Sequence, residues 1–211
     1  MTQQYEKKEL RQHIFDTPDT YVGGIETIPV NSIILKDNKI TNKEIEIIPA
    51  LINIFNEILV NARDQIVRLQ QMSETNKDIN KVSYLKINIT DKNITVTNDG
   101  DGISVKLHEK EKIHIPQLIF GELLTSSNYK KNEKKIVGGK NGYGAKLVNI
   151  FSNVFTITTV DKVEEKKYTQ TWEKNTTICQ KPSLRKFSGK PFTTISYDLD
   201  FNRFGIQNYS E

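Results

Sequence analysis

Cysteine is almost absent from this sequence, since Cys179 is the only one among 211 residues. A single cysteine excludes a disulfide framework and a zinc site built on cysteine pairs, and it favours a reducing compartment. Histidine is scarce as well, and the three histidines at positions 13, 108 and 114 are scattered. Because a metal site needs clustered ligands, we interpret these histidines as ordinary surface or hydrogen-bonded residues.

Long apolar runs are also missing. No stretch approaches the ~18–20 apolar residues that a membrane-spanning helix needs. The N-terminus, MTQQYEKKEL, lacks the apolar segment of a secretory signal. We therefore expect a protein that is neither inserted in a membrane nor secreted.

A large excess of one charge is absent too. The chain has 30 basic and 26 acidic residues, a formal net charge of +4, and a single dense basic run, KKNEKK, at residues 130–135. This mild excess permits nucleic-acid binding without indicating it. With 36% hydrophobic residues over 211 positions, the chain is long and apolar enough to bury a core, and we expect a single domain taken from a larger protein.

The spacing of the apolar residues predicts a mixture of helices and hairpins. The strongest signal is a helix at residues 50–69, preceded by Pro49, a residue that favours the first turn of a helix. Because no βαβ unit is repeated, the order favours an α+β fold with a largely antiparallel sheet over a doubly wound fold. The other predicted elements are helices at 5–15, 115–124 and 145–151, hairpins at 31–48 and 82–98, and strands at 154–160, 166–173 and 192–199.

The long helix carries a polar stripe opposite its apolar side. Glu57 and Asn61 lie one turn apart on this stripe, so their side chains reach the same place. A carboxylate can take a proton from an attacking water, and an amide oxygen can bind a hard cation such as Mg²⁺. An ordinary amphipathic helix has the same pattern, so the helix alone leaves both interpretations open. The stripe consists of Asn53, Glu57, Asn61, Asp64 and Arg68.

A predicted strand ends in the segment TVTNDGDGI, at residues 95–103. Asp99, beside two glycines, can accept a hydrogen bond from an exocyclic amine such as that of adenine. Aspartate and glycine also form ordinary turns, and the segment alone does not separate the two interpretations.

The glycine-rich segment IVGGKNGYGAK, at residues 136–146, indicates an anion site. It fits neither the Walker loop nor the dinucleotide fingerprint, because it lacks the final Lys-Ser or Lys-Thr pair and a preceding strand. Glycines still allow several backbone N–H groups to converge on one anion. Lys146, in the first turn of the predicted helix, is unfavourable for the helix dipole unless an anion lies there. The preceding LLTSSNY, at 123–129, offers hydroxyls for ribose or phosphate, although a polar loop has the same composition.

Taken in order, the segments FNEILVNARDQ, TNDGDGI, IFGELLTSSNY and GGKNGYGAKL resemble the ATP-binding domain of eukaryotic-type DNA topoisomerase II, a member of the GHKL superfamily. The segment KKELRQHIFDTPDTYVGG is similar to that family's N-terminal strap, and the resemblance runs from about Tyr5 to Phe204. It implies a Bergerat fold, a two-layer α/β sandwich with a mixed, largely antiparallel sheet. It also implies an arm at 1–24 and an ATP-binding domain at 25–211, with the transducer and DNA-gate domains absent.

The resemblance assigns roles to particular residues. Glu57 matches the general base, and Asn61 matches the ligand of the Mg²⁺ that accompanies ATP. Asp99 matches the residue that contacts the adenine amine, and Thr193 matches a threonine that supports this contact. The remaining residues matched to nucleotide binding are Tyr5, Asp64, Ile103, Phe120, Ser126, Ser127, Asn128, Gly139, Lys140, Asn141, Gly142, Tyr143, Gly144, Ala145 and Lys146, with Lys146 also matched to catalysis.

The chain departs from the family pattern at two positions. The family often has asparagine where this chain has Asp99, and Ser104 stands in place of a proline, from which we expect a slightly looser turn. The resemblance also places a γ-phosphate-binding lysine in the transducer domain. We therefore expect this chain to bind ATP and to hydrolyse it poorly.

The resemblance further implies a homodimer in the full-length enzyme, with DNA bound mainly through other domains. It implies a nuclear location in a eukaryote, or the host cytoplasm or virion for a viral homologue. Three alternatives stay open at this point: another GHKL ATPase such as a histidine kinase or mismatch-repair protein, a non-catalytic nucleotide-binding or interaction module, and direct DNA binding by this chain.

Overall fold

The computed structural model describes residues 8–123 and 143–209. The helices in these residues are α1 Leu10–Asp16, α2 Pro18–Tyr21, α3 Pro49–Thr75, α4 Ile115–Phe120 and α5 Gly144–Ile150, with a 3₁₀ turn at Phe201–Phe204. The strands are β1 Ile28–Lys36, β2 Lys39–Ile47, β3 Leu85–Ile89, β4 Ile94–Asp99, β5 Ser152–Asp161, β6 Lys166–Glu173, β7 Ile178–Cys179, β8 Ser183–Lys186 and β9 Phe192–Leu199.

Seven of the strands form one sheet. Its order is β3-β4-β9-β5-β6-β7, with β8 also paired to β6, and β1 and β2 form a separate hairpin. Each strand pairing in the described part of the chain is antiparallel. The predicted α+β class with a largely antiparallel sheet is confirmed.

Helix α3 forms where the apolar spacing predicts it. Pro49 occupies the first turn, and the apolar stripe is buried at Ala50, Ile54, Ile58, Ala62 and Leu69. The helix continues to Thr75, beyond the predicted end at residue 69. The added residues QQMSET include good helix formers, and the polar face they extend is solvated.

Helix α5 is buried on all sides, from Ala145 to Ile150. It lies within the core cluster that α1, α3 and the inner face of the sheet also build. Alternation along each strand selects that inner face: Ile94 and Val96 on β4 share the core with Ile195 and Tyr197 on β9. The opposite face of the sheet carries cross-strand hydroxyl pairs, such as Thr97 with Thr194 at 2.9 Å.

The described part of the predicted arm packs into the same core. Ile14 and Val22 are buried, and the ring of Phe15 stacks on Phe151 with centroids 5.9 Å apart. The guanidinium of Arg203 lies over Phe15 and donates to its carbonyl oxygen at 2.6 Å. Residues 10–22 and the sheet therefore bury one continuous apolar cluster. The division of the chain at residue 24 stays a prediction.

The sequence did not predict β7 and β8. Both are short, highly exposed and separated by Pro182, and β8 has no apolar alternation. They are strands because β6 offers them a free edge. In the part of the chain that the structure describes, every helix is too short or too polar to span a bilayer.

Candidate functional site

The first group of predicted site residues meets where α3 faces the start of α5. A Cβ atom added to Gly144 would overlap the Glu57 carboxylate oxygen Oε2 and would lie 3.5 Å from the Asn61 side-chain nitrogen. The backbone at residue 144 can approach the carboxylate this closely because glycine has no side chain. Burial raises the pKa of the Glu57 carboxyl above its ordinary value. A desolvated carboxylate is a stronger base than one in water.

The Asn61 side chain is fixed by a hydrogen bond within α3. Its nitrogen Nδ2 donates to the carbonyl oxygen of Glu57 at 2.8 Å. A carbonyl accepts and cannot donate, so this contact assigns the amide orientation. The amide oxygen is therefore the atom that Asn61 can offer to a cation.

Lys146 is a buried cation in the first turn of α5. Its side chain is part of a residue that is only 4% exposed, and burial lowers its pKa to about 8, while the charge of Glu122 opposes this shift. Asn149, further along α5, donates from Nδ2 to the carbonyl oxygen of Phe120 at 3.0 Å, which ties the end of α4 to α5. A buried ammonium with a lowered pKa is stabilised in its charged form by any anion that enters the site.

A second group lies on the inner face of the sheet. Asn98 and Thr193 are directly opposite each other on β4 and β9, and both are buried. The hydroxyl of Thr193 lies 2.9 Å from that of Thr159 on β5, and Thr159 accepts from the backbone N–H of Ile103 at 2.9 Å. This network joins the end of β4 to the glycine turn that follows it.

The predicted arrangement of Asp99 with Thr193 is corrected by the structure. Successive residues of a strand point to opposite faces, so Asp99 lies on the outer face when Asn98 lies on the inner one. The Asp99 carboxylate accepts from the backbone N–H groups of Ser83 and Tyr84 at 2.7 and 3.1 Å, and from the Ser83 hydroxyl. Asp99 thus holds the loop before β3, and Asn98 is the residue that shares a face with Thr193.

Sequence reasoning missed Asn98, although the signal was present. Ile94 and Val96 are apolar and alternate with Thr95 and Thr97, which places residue 98 on the core side.

The glycine turn after β4 is packed against β5. A Cβ atom on Gly102 would overlap the carbonyl oxygen of Val160, so only glycine fits there. The buried carboxylate of Asp161 accepts from the backbone N–H of Val105 at 2.9 Å, and from Val163 and Glu164 at 2.9 and 3.1 Å. These contacts fix the path of the chain beside Asn98.

The remaining predicted residues fall in different surroundings. Asp64 lies 3.3 Å from the guanidinium of Arg63, and Ile103 is half-buried against the core. Phe120 packs in the core with its ring 6.0 Å from that of Phe155. Tyr143 meets the ring of Tyr21 edge-on at 6.4 Å, and Ala145 is buried. The predicted residues outside the described part of the chain are Tyr5, Ser126, Ser127, Asn128, Gly139, Lys140, Asn141 and Gly142.

Comparison of the sequence with known proteins finds no matching protein-family model. Individual relatives do match. DNA topoisomerase 2 of Candida glabrata is 43% identical over 210 residues, covering 98% of this chain and 14% of the relative. DNA topoisomerase 2 of Acanthamoeba polyphaga mimivirus is 42% identical over 213 residues, covering 97% of this chain and 16% of the relative. The chain therefore spans about a seventh of these curated relatives.

Solved structures agree with this. The ATPase region of Saccharomyces cerevisiae topoisomerase II is 41% identical with a TM-score of 0.86, covering 97% of this chain and 53% of that one. The ATPase and transducer domains of DNA topoisomerase II from Balamuthia mandrillaris are 33% identical with a TM-score of 0.87, covering 100% of this chain and 54% of that one. Thermus thermophilus gyrase B, at 17% identity and a TM-score of 0.63, shares the fold. By sequence and by fold, the chain belongs to the DNA topoisomerase II family and corresponds to its ATPase region.

Proposed function

We propose that this chain binds ATP between the α3–α5 contact and the inner face of β4 and β9, and that it forms the ATP-driven gate of a type II DNA topoisomerase. The observation that carries the proposal is the close approach of Gly144 to Glu57 beside Asn61. It brings a desolvated base, a cation ligand and the first turn of α5 to one place. The likeness to the ATPase region of Saccharomyces cerevisiae topoisomerase II supports the same function.

In this proposal Asn98, and not Asp99, recognises the adenine base. Asn98 donates from Nδ2 to the carbonyl oxygen of Asp99 at 2.8 Å, so its oxygen is the atom directed to a ligand. A carbonyl-type oxygen accepts a hydrogen bond from the amine of adenine and repels the carbonyl oxygen of guanine. Thr193 lies opposite Asn98 on β9, and its hydroxyl is held by that of Thr159.

The metal in this proposal is shared between Asn61 and the phosphates. The described residues hold no group of three or more histidine, cysteine, aspartate or glutamate side chains that could bind a metal alone. Mg²⁺ commonly keeps one or two protein ligands and takes the rest from phosphates and water, and the fixed amide oxygen of Asn61 fits this role. When bound, ATP with Mg²⁺ supplies the reacting phosphoryl group and neutralises its charge.

Glu57 acts as the general base in this proposal, and Lys146 stabilises the phosphates. The raised pKa of Glu57 makes it a better proton acceptor from a water beside Gly144. Lys146 is a preorganised positive charge in a site with little water, where electrostatic stabilisation is strong.

The partners and location follow from the longer relatives. We propose a homodimer whose closure captures a DNA duplex, with most DNA contacts outside this chain. Since the relatives are eukaryotic and mimiviral, the nucleus of a eukaryote and the host cytoplasm or virion of a virus stay the two predicted locations.

Calorimetry with a non-hydrolysable ATP analogue and Mg²⁺, alongside the GTP analogue, tests the proposal. We expect binding of the ATP analogue and at least tenfold weaker binding of the GTP analogue, which corresponds to about 1.4 kcal/mol. Asn98→Ala should lose most of this preference. Asp99→Ala is the matched control on the neighbouring position and should keep it.

If only the Asp99 variant lost the preference for the ATP analogue, Asp99 and not Asn98 would recognise adenine. If the chain bound neither nucleotide, the proposed function would be wrong.

The Glu57→Gln variant distinguishes the proposed ATPase from a non-catalytic nucleotide-binding module. In a form of the protein that hydrolyses ATP, this variant should keep its affinity for the nucleotide and should no longer release phosphate. Unchanged release would exclude Glu57 as the base.

A further inference from the structure

Apart from the basic run at residues 130–135, positive charge is also concentrated near the end of the sequence. Between Glu173 and Asp198 there are five basic residues and no acidic residue. The five residues are Lys174, Lys181, Arg185, Lys186 and Lys190.

Strand β8 brings part of this charge against two more lysines. The β6–β8 register places Arg185 opposite Lys167 and Lys186 opposite Lys166, and β8 is exposed along its whole length. Like charges directly opposite each other on neighbouring strands destabilise a sheet. Because successive residues of a strand point to opposite faces, Lys167 and Arg185 lie on the outer face of the sheet and Lys166 and Lys186 on the other face. We call these four residues, which flank one edge of the sheet from both sides, the basic edge.

Acidic side chains compensate the basic edge only in part. Glu164 lies 3.6 Å from Lys166. Within residues 8–123 and 143–209, neither Lys167 nor Arg185 forms an ion pair. The fold therefore keeps a repulsive pair on the outer face of the sheet.

Two aromatic rings hold Lys167 in place on that face. Its ammonium lies 6.0 Å from the ring centre of Phe187 and 5.7 Å from that of Phe192. The two rings meet edge-on at 6.3 Å. A cation over aromatic faces is attracted by them and keeps its charge, so Lys167 is fixed beside Arg185.

We infer that the basic edge docks the phosphate backbone of duplex DNA, at a site separate from the nucleotide site. In the sheet, β6 lies three strands from β4, which is about 14 Å at the usual strand spacing. One or two lysines suffice to protect an edge strand from aggregation, and that purpose does not require cations facing cations. Phosphates that reach this edge from both of its faces relieve the repulsion, and such contacts bind without regard to base sequence.

A paired charge reversal tests this surface. In R185E/K186E, the new glutamates face Lys167 and Lys166, so the sheet gains attractive pairs and should melt no lower than the original chain. The control is K39E/K43E, which makes the same charge change on the exposed strand β2. Both variants have the same net charge, so any difference between them is local.

Fluorescence anisotropy with a labelled duplex, titrated over a range of salt concentrations, gives the readout. At low salt we expect R185E/K186E to lose about tenfold or more in DNA affinity, and K39E/K43E less than about threefold. The slope of log affinity against log salt should become shallower by about two in the first variant, since each phosphate contact contributes about 0.9. R185Q/K186Q should show the same direction with a smaller loss.

Equal losses in R185E/K186E and K39E/K43E would overturn the inference, as would no binding by the original chain at low salt. Tighter binding of a polyglutamate peptide than of the duplex would also overturn it and indicate an acidic protein partner. The ATP analogue is titrated into the same samples. If the chain binds the ATP analogue but not DNA, only the proposal for the basic edge is wrong. If it binds DNA but not the analogue, only the proposed nucleotide site is wrong.

Discussion

At the scale of the residue, the site depends on polar groups held where water is scarce. Lys146 is buried in a largely apolar helix, and Glu57 is desolvated where the backbone at Gly144 approaches it. Burial raises the pKa of the Glu57 carboxyl and lowers the pKa of the Lys146 ammonium. Both pKa values therefore lie closer to neutral pH than they do in water, which suits proton transfer and anion binding.

The pKa of Lys146 leads to a pH dependence of nucleotide affinity. Its pKa is lowered from 10.5 to about 8, so the ammonium is charged below pH 8 and loses its proton as the pH rises through that value. Affinity for the ATP analogue should be flat below this pH and should then fall, approaching tenfold per pH unit. Calorimetry from pH 7 to 9.5 measures this change; the terminal phosphate, with a pKa of about 6, does not titrate in that range.

Lys146→Met provides the control for this prediction. Without the ammonium, the affinity should be weak and independent of pH over the same range. If the variant and the original chain show the same slope, another group is responsible.

At the scale of the element, the segment between β4 and α4 is held by β5 more than by its own sequence. Asp161 accepts three backbone hydrogen bonds, one from Val105 and two from the β5–β6 turn. Burial raises the pKa of this carboxyl, but the three donors outweigh burial and the net pKa lies below 3.8. The folded state therefore favours the ionised form.

Asp161→Asn should destabilise the chain by about 1.5–3 kcal/mol, the range for hydrogen bonds to a charged group. At this chain length that lowers the melting temperature by about 3–12 °C. Because the folded pKa is lowered, the stabilisation is present above pH 3.8 and is lost as the pH falls through the folded value. The difference between the original chain and the variant should therefore shrink below about pH 4.

Asp78→Asn removes the same charge from an exposed loop and serves as the control. It should change the melting temperature by about a degree or less. A difference between Asp161→Asn and the original chain that stays constant down to pH 3 would show that the carboxylate charge is not what stabilises this segment.

At the scale of the whole molecule, the N-terminal helices and the sheet bury one core. Ile14 is 0% exposed, although it lies in the segment that the sequence assigns to an arm. Trp172, the only tryptophan, lies on β6 within the same hydrophobic cluster. Its fluorescence therefore reports whether distant parts of the chain unfold together.

Ile14→Ala should lower the stability measured at Trp172 by about 2–5 kcal/mol, the usual cost of removing a buried aliphatic side chain. The transitions seen by fluorescence and by circular dichroism should coincide. Ile33→Ala, at a position that is 76% exposed on the β1 hairpin, should cost no more than about 0.5 kcal/mol. An unchanged Trp172 transition in Ile14→Ala would mean that the arm folds independently.

The sequence predicted most of the elements because their signals are local. Helix α3 follows from apolar spacing over many turns, and β6 and β9 match their predicted bounds because each alternates over its full length. Strands β7 and β8 have no such signal and exist because β6 pairs with them. The prediction that Asp99 lies with Thr193 was wrong because it used the glycine turn alone and left out the alternation that leads into it.

The sequence by itself determined the fold class and the family, because periodicity and the order of motifs can be recognised without knowing which residues are in contact. It also placed Glu57 and Asn61 on one face of one helix, since helical geometry is fixed. Only the tertiary structure decided that Gly144 lies against Glu57, that Asn98 faces Thr193, and that Arg185 faces Lys167. Those pairs are distant in sequence, and their proximity depends on how the whole chain buries its apolar surface.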